Sequence, residues 1–185
     1  MKRRDFLKRG LAGVGAAVAV SGTARAADEK GVCQPGCWDP YEQGIRLGKT
    51  EIKVSRMCLG TGMRGYNRSS NHTRMGREKF EGLIRGAYER GVRVFDLADL
   101  YGTHPYVVRA LKDIPRKKYV IISKIWFRKG GLGDITERPR ADQVVERFLS
   151  EMGTDYIDLV QLHCVTSKDW DQELAEDMAA LAALK

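Results

Sequence analysis

Three ionisable side chains interrupt apolar stretches of the sequence. Asp96, Lys124 and His163 each lie at the end of such a stretch, about one strand and one helix apart, and Tyr101 follows Asp96 by five residues. In parallel α/β folds, reactive groups collect where the strands end and the next loops begin. We therefore expect these four side chains to converge at one edge of a sheet.

A tyrosine, a lysine, an aspartate and a histidine gathered in one place can protonate a carbonyl oxygen. The tyrosine hydroxyl has an ordinary pKa of about 10, and a nearby ammonium group lowers it. We expect Lys124 to supply that charge and Asp96 to keep the lysine protonated. Tyr101 and His163 would then hydrogen-bond an oxygen that becomes negative, and Tyr101 would donate the proton.

The elements that position these residues follow from hydrophobic periodicity. A short hairpin is predicted around Glu51. Apolar runs predict strands at 57–60, 92–95, 119–122 and 156–162. Apolar residues at helical spacing predict helices at 80–88, 107–114, 141–152 and 174–182. Apolar strands that alternate with helices indicate a parallel sheet covered by those helices.

This order is typical of a (β/α)8 TIM barrel, which needs about 250 residues. The sequence predicts only the first four β/α units, a truncated half barrel over residues 45–185. No Gly, Asn or Pro follows the final apolar turn, so we expect the chain to be cut inside a helix. The two unpaired sheet edges predict that these residues alone form neither a stable monomer nor an active reductase.

The pattern resembles the aldo-keto reductase family. That family has an Asp five residues before a Tyr after its second strand, a Lys ending the third strand and a His ending the fourth. Asp96, Tyr101, Lys124 and His163 fill these four places. Supporting matches lie at 47–50, 54–55, 60–62, 91–92 and 153–159.

The resemblance implies a carbonyl reductase with NADPH as its cofactor and a small-molecule carbonyl compound as its substrate. Its implied site contacts are Gly60, Thr61 and Gly62 under the nicotinamide, Asp96 at the cofactor ribose, and Trp126 in the substrate pocket. The family's other cofactor loops belong to a second half that this sequence does not contain. Residues 101–105 also differ from the Gly-Xaa-Ser-Glu often found there, which affects the expected substrate contacts.

A rival interpretation starts from residues 60–65, which match the GxGxxG fingerprint of dinucleotide-binding folds. In such folds the fingerprint leads directly into a helix, and an acidic residue follows about 20 positions later. Here a polar loop follows instead, so we do not predict a Rossmann fold.

The N-terminus has the features of an export signal. Residues 3–8, Arg-Arg-Asp-Phe-Leu-Lys, resemble the twin-arginine signature, and Ala24 and Ala26 supply the small residues at a cleavage site. The apolar run between them is too short for a membrane span. We predict a signal at 1–26, the twin-arginine machinery as a partner, a periplasmic protein, and no stable membrane anchor after cleavage. A Sec-type signal or a retained anchor is the alternative.

The net charge and the positions of the cysteines restrict the possible partners and bound metals. Without residues 1–26, 26 basic and 23 acidic residues remain, a net charge of +3, which suggests no nucleic-acid partner. Cys33 and Cys37, in the segment 27–44, form a local disulfide or stay as thiols; no cluster completes a metal site. Cys58 and Cys164 lie in apolar stretches and are predicted to be buried.

Several single residues have simpler interpretations. His72 and His104 are predicted to be exposed loop histidines, and Asp99 to cap or hydrogen-bond a loop. Asp158 and Gln161 are expected to satisfy polar groups of the barrel. For the protein as a whole, the alternative to a reductase is a family-like binding or regulatory protein, or a non-catalytic fragment.

Overall fold

The computed structural model describes residues 44–128, 132 and 138–185. The predicted export signal at 1–26 and the pair Cys33 and Cys37 lie outside these residues. Within the described ranges, no helix combines the length and the apolar character needed to cross a membrane.

A small hairpin precedes the main sheet. It pairs β1 (Ile45–Arg46) with β2 (Lys53–Val54) in antiparallel fashion around the predicted turn. The main sheet contains four parallel strands, adjacent in chain order: β3 (Cys58–Gly60), β4 (Val94–Asp96), β5 (Val120–Trp126) and β6 (Leu159–His163). Because all four run in one direction, their C-terminal ends lie at the same edge, as the sequence predicted.

Helices separate the strands in the expected alternating order. They are α1 (Asn71–Arg74), α2 (Arg77–Glu89), α3 (His104–Ala110), α4 (Ala141–Met152), α5 (Trp170–Glu173) and α6 (Ala175–Ala183). Two 3₁₀ helices, Asp99–Tyr101 and Arg116–Lys118, lie in the connections. Gly153 ends α4 in the left-handed conformation, with φ of 63°, which glycine adopts without steric cost.

The core lies between the sheet and its helices. Along β5, buried residues alternate with partly exposed ones from Ile121 onward. The buried residues therefore lie on the face that the helices cover. Ile121 and Ile125 are completely buried on that face. They belong to a continuous apolar cluster that also contains Phe80, Ile84, Phe95, Val107, Leu111 and Phe148.

The other face of the sheet carries the polar positions. Asp96, Lys124 and His163 lie there with intermediate exposure, and Gln161 is exposed. We call this the open face. The sheet therefore has the order and direction of the first four units of a barrel, with its chemistry-bearing residues on the side that faces away from the helices.

Three burial predictions were wrong. Cys58 is exposed because its neighbour Leu59, not Cys58, packs against the core. Cys164 is exposed because it follows the last residue of β6, in a left-handed conformation with φ of 57°. His104, expected in an exposed loop, is only 1% exposed at the start of α3.

Candidate active site

Strand register brings the predicted site residues to one edge. Asp96 is the last residue of β4, where it is opposite Ile122 of β5, and His163 is the last residue of β6, where it is opposite Trp126. Lys124 lies two residues before Trp126, on the same face of β5. Because side chains alternate along a strand, those of Asp96, Lys124, Trp126 and His163 all lie on the open face.

Asp96 and Lys124 form a direct ion pair. The Lys124 ammonium donates to Asp96 Oδ1 and also to the main-chain oxygen of Leu97, at 3.0 Å. Both side chains are mostly buried, with 15% of the lysine and 28% of the aspartate exposed. The predicted pairing of Asp96 with Lys124 is confirmed.

Tyr101 reaches the same place from the 3₁₀ helix after β4. Its hydroxyl lies 3.4 Å from Nε2 of His163, and the two rings meet edge to face with centroids 5.6 Å apart. The Lys124 ammonium is 5.3 Å from the centre of the tyrosine ring. The structure therefore brings together the four residues predicted from the sequence.

The predicted lowering of the Tyr101 pKa was wrong. Burial, with contributions from Asp96 and Cys164, raises the pKa of Tyr101 above its ordinary value of 10. The lysine lies close enough to act, but Asp96 is paired with it and its negative charge opposes ionisation of the phenol. At neutral pH the hydroxyl therefore keeps its proton and can donate it.

The His163 ring favours its neutral form, which can donate and accept hydrogen bonds. Burial lowers the pKa of His163 below 6.5, and the charge of Lys124 lowers it further. Its Nδ1 is buried and has no hydrogen-bond partner among the described residues. The Trp126 ring contacts it edge to face, with centroids 5.5 Å apart. Trp126 thus lies beside the histidine at the C-terminal edge of the sheet.

The predicted cofactor stretch follows β3 at the same edge. Gly60 is opposite Asp96 in the sheet, and a methyl group added at Gly60 would meet no atom within 4 Å. Thr61 is completely buried, and its Oγ1 donates to the main-chain oxygen of Asp96 at 2.8 Å. Of these residues, Gly60 therefore leaves open backbone surface next to Asp96. No helix follows directly, since the next one is α1 at Asn71, so this stretch does not have the form of a dinucleotide-binding fingerprint.

A polar network behind Tyr101 was missed by the sequence interpretation. Asp99, only 2% exposed, pairs with Arg147 at 2.7 Å and with Arg68 at 3.3 Å. Buried His104 bridges Glu151, at 3.0 Å, and the Ser123 hydroxyl, at 2.8 Å. These contacts join the loop before α1, the 3₁₀ helix, α3, α4 and β5. They fix the segment that carries Tyr101 to the helix layer.

One carboxylate of this network has a strongly shifted pKa. Burial alone would raise the pKa of Glu151, but hydrogen bonds from His104 and Arg147 lower it from 4.5 to about 2. The glutamate is therefore ionised throughout the physiological range. The residues described include no cluster of three or more His, Cys, Asp or Glu side chains that could hold a metal ion.

Residues 56–185 match the aldo/keto reductase family. The chain belongs to this family. Its members include oxidoreductases that act on carbonyl compounds and use nicotinamide cofactors. Three of the four clustered residues, Asp96, Lys124 and His163, lie on strands that were predicted to carry them, and Tyr101 lies in the 3₁₀ helix after β4.

The curated relatives are longer than the region that they share with this chain. The NADH-specific methylglyoxal reductase of Escherichia coli (strain K12) is 32% identical over 156 residues, which cover 76% of this chain and 48% of the relative. The L-galactose dehydrogenase of Arabidopsis thaliana is 27% identical over 144 residues, covering 75% of this chain and 43% of the relative. The chain therefore spans about half the length of the curated relatives it matches.

Solved structures give the same result for the fold. The holo form of the aldo-keto reductase AKR11C1 from Bacillus halodurans superimposes with a TM-score of 0.58 at 26% identity, over 77% of this chain and 46% of that chain. The thermostable aldo-keto reductase Tm1743, solved with the inhibitor epalrestat, gives 0.55 at 27% identity, over 76% and 48%. The described sheet corresponds to part of a barrel.

Proposed function

We propose that this chain supplies the catalytic half of a nicotinamide-dependent carbonyl reductase, with Tyr101 as the proton donor and an aldehyde or ketone as the substrate. The observation that carries the proposal is the convergence of the Tyr101 hydroxyl and His163 Nε2, 3.4 Å apart, beside the Asp96–Lys124 pair. The reverse reaction, oxidation of an alcohol or sugar, uses the same groups. Activity is expected from the complete barrel.

The residues act on the oxygen of the bound carbonyl group. Tyr101 donates a hydrogen bond to that oxygen, and neutral His163 orients it from the other side through Nε2. As negative charge develops on the oxygen, these donors stabilise it and the tyrosine proton transfers. The Lys124 ammonium, which Asp96 keeps charged, then offsets part of the cost of burying the phenolate that remains. Trp126 covers the substrate beside the histidine.

A bound nicotinamide supplies the hydride for this reaction. On this chain, the backbone of Gly60, Thr61 and Gly62 and the carboxylate of Asp96 would contact it. We assign NADPH as the cofactor, following the family resemblance. The Escherichia coli relative is named as NADH-specific, so the two cofactors must be compared directly.

We also propose that the protein reaches the periplasm through the twin-arginine export machinery, with residues 1–26 removed. This route carries folded proteins, so a cofactor bound in the cytoplasm would be exported with the enzyme. The test is the intact mass of the protein isolated from the periplasm of its source. A protein recovered from the cytoplasm with residues 1–26 still attached would contradict this part of the proposal.

The catalytic proposal is tested on the protein as its source produces it. Reduction of 4-nitrobenzaldehyde is followed by the loss of reduced-nicotinamide absorbance, with NADPH and NADH in parallel. We expect turnover with NADPH, and a loss of kcat on the order of 10²–10⁴-fold in Tyr101→Phe. The control is Tyr66→Phe, which removes the same hydroxyl from an exposed residue outside the site and should keep full activity.

Two results would contradict this function. Turnover that survives Tyr101→Phe would exclude Tyr101 as the proton donor. Tight NADPH binding without turnover of any carbonyl compound would favour the binding or regulatory role, in which the same residues hold a cofactor but no reaction follows.

A further inference from the structure

The glycines of the 60–65 stretch are not all alike. A methyl group added at Gly62 would lie 2.2 Å from Cζ of Tyr101, and one added at Gly65 would lie 2.4 Å from Cδ1 of the same ring. At Gly60 it would meet nothing within 4 Å. The tyrosine ring therefore rests directly on the backbone of the second and third glycines of the motif.

Backbone conformation does not explain these two glycines. Neither Gly62 nor Gly65 has a positive φ, unlike Gly102, whose φ is 65°. An alanine would therefore meet no positive-φ penalty at either residue. The hydrogen bond from Gly65 N to Gly62 O, at 2.8 Å, closes a tight turn that presents both Cα atoms to the ring. What the site requires at these positions is space.

The other sides of the ring are also occupied. His163 meets it edge to face, and the Lys124 ammonium lies 5.3 Å from its centre. The main chain behind it is fixed as well, because a methyl group at Gly102 would lie 2.0 Å from the main-chain oxygen of Arg68. The ring cannot move away without disturbing one of these neighbours.

We propose that Gly62 and Gly65 form a ledge that sets the depth of the Tyr101 ring and so places its hydroxyl beside His163. They are positioning residues for proton transfer. The GxGxxG-like spacing then serves the tyrosine and not a pyrophosphate. This inference rests on the proposed function for its effect on catalysis, but its steric basis can be tested without any activity.

The expected effect on catalysis follows from the size of the clash. To relax a contact of 2.4 Å to the 3.4 Å of ordinary van der Waals contact, the ring or the turn must move by about 1 Å. A general acid works at a heavy-atom distance of about 2.6–3.2 Å, and a 1 Å misplacement can reduce the rate by about 10²-fold. The loss should appear in kcat, because the ledge does not bind the substrate.

The catalytic test uses Gly65→Ala in the protein as its source produces it. Gly65 is chosen because Gly62 also belongs to the predicted cofactor stretch. We expect kcat for 4-nitrobenzaldehyde to fall on the order of 10²-fold, with KM and the Kd of NADPH unchanged. Gly82→Ala is the matched control, since Gly82 is exposed in α2 and a methyl group there meets nothing within 4 Å. It should keep the wild-type kcat.

The steric test is a double-mutant cycle on stability. Gly65→Ala should lower the Tm by about 5 °C, because overpacking is destabilising. In a Tyr101→Ala background the ring is gone, and the same substitution should cost much less, because only the contact with the main-chain oxygen of Gly62, at 3.0 Å, remains. If Gly65→Ala alone does not fold, recovery of folding in the double variant gives the same support.

Two outcomes would overturn the ledge. One is a wild-type kcat in Gly65→Ala when the parent enzyme is active. The other is an equal loss of Tm in both backgrounds, or a double variant that stays unfolded, either of which would mean that the cost does not come from Tyr101. A parent protein without reductase activity would contradict the proposed function but leave the stability cycle decisive for the ledge.

Discussion

The two faces of the same sheet are built for different tasks. On the helix-covered face, Phe95, Ile121 and Ile125 are completely buried and belong to one apolar cluster. On the open face, Asp96, Lys124 and His163 have intermediate exposure and form the candidate site. The first face holds the strands together, and the second uses their ends to gather charges.

This difference shows which contacts the described half barrel completes by itself. The helices α2 and α4 each bury apolar residues, whereas α6 buries none of its residues. The site residues are held mainly by strand register, by the Asp96–Lys124 pair and by the network behind Tyr101. Stability and chemistry are therefore separable by substitution on adjacent residues of one strand.

The sharpest test of the two faces compares neighbours on β5. Ile121→Ala removes a completely buried side chain and should lower the free energy of unfolding by about 2–5 kcal/mol. Ile122→Ala makes the same change on the partly exposed open face and should cost less than half as much. Urea unfolding of both variants measures the difference. Equal losses would mean that the open face is as well packed as the other.

The network between the 3₁₀ helix and α4 predicts an acid-sensitive contribution to stability. The pKa of Glu151 is lowered from 4.5 to about 2, so its contribution is complete above pH 4.5 and is lost as the pH falls toward 2. Glu151→Gln should lower the free energy of unfolding by roughly 2 kcal/mol at pH 7. The two proteins should become similar near pH 2, as measured by urea unfolding across this range.

A surface pair provides the control for that experiment. Arg85 lowers the pKa of Asp113 to about 2 through a hydrogen bond, but the carboxylate is fully exposed and solvent screens it. Asp113→Asn should therefore change stability less than Glu151→Gln, and added salt should remove the effect. A larger loss from Asp113→Asn would show that burial is not what makes the network important.

The smallest expected effect concerns the pH dependence of the open face. The pKa of His163 is lowered from 6.5 by burial and that of Tyr101 is raised from 10 by burial, so each residue keeps one protonation state through the middle of the interval between these values. We expect kcat for 4-nitrobenzaldehyde to be flat over this interval, measured at saturating cofactor. An alkaline loss of kcat below pH 10 that Tyr101→Phe abolishes would mean that Lys124 lowers the tyrosine pKa after all.

The sequence predicted the elements better than their ends. All four parallel strands and their order were confirmed, because each contains a short apolar run that is separated from the next by a stretch of helical periodicity. The strand predicted at 119–122 extends to Trp126, since Ser123 and Lys124 interrupt the run without interrupting the strand. The strand predicted at 156–162 begins only at Leu159, and the helix predicted at 107–114 is already formed at His104.

The candidate site was predicted in part. The four residues at the strand ends were found because parallel strands carry their loops to one edge. The partners of Asp99 and His104 were not, because Arg147 and Glu151 lie on a helix more than 40 residues away. Asp99, two residues before Tyr101, was the only local sign of that network. The direction of the Tyr101 pKa was also missed, since burial and the charge of Asp96 depend on distances in the folded chain.

The sequence by itself determined the order of strands and helices, the family, and the identity of the residues at the sheet edge. These depend on periodicity and spacing, which are local properties of the chain. Only the tertiary structure decided that Tyr101 rests on Gly62 and Gly65, that His104 is buried, and that Asp96 neutralises Lys124 beside the phenol. Packing and electrostatics act through space, so their outcome is fixed only when residues far apart in sequence come within a few ångströms of one another.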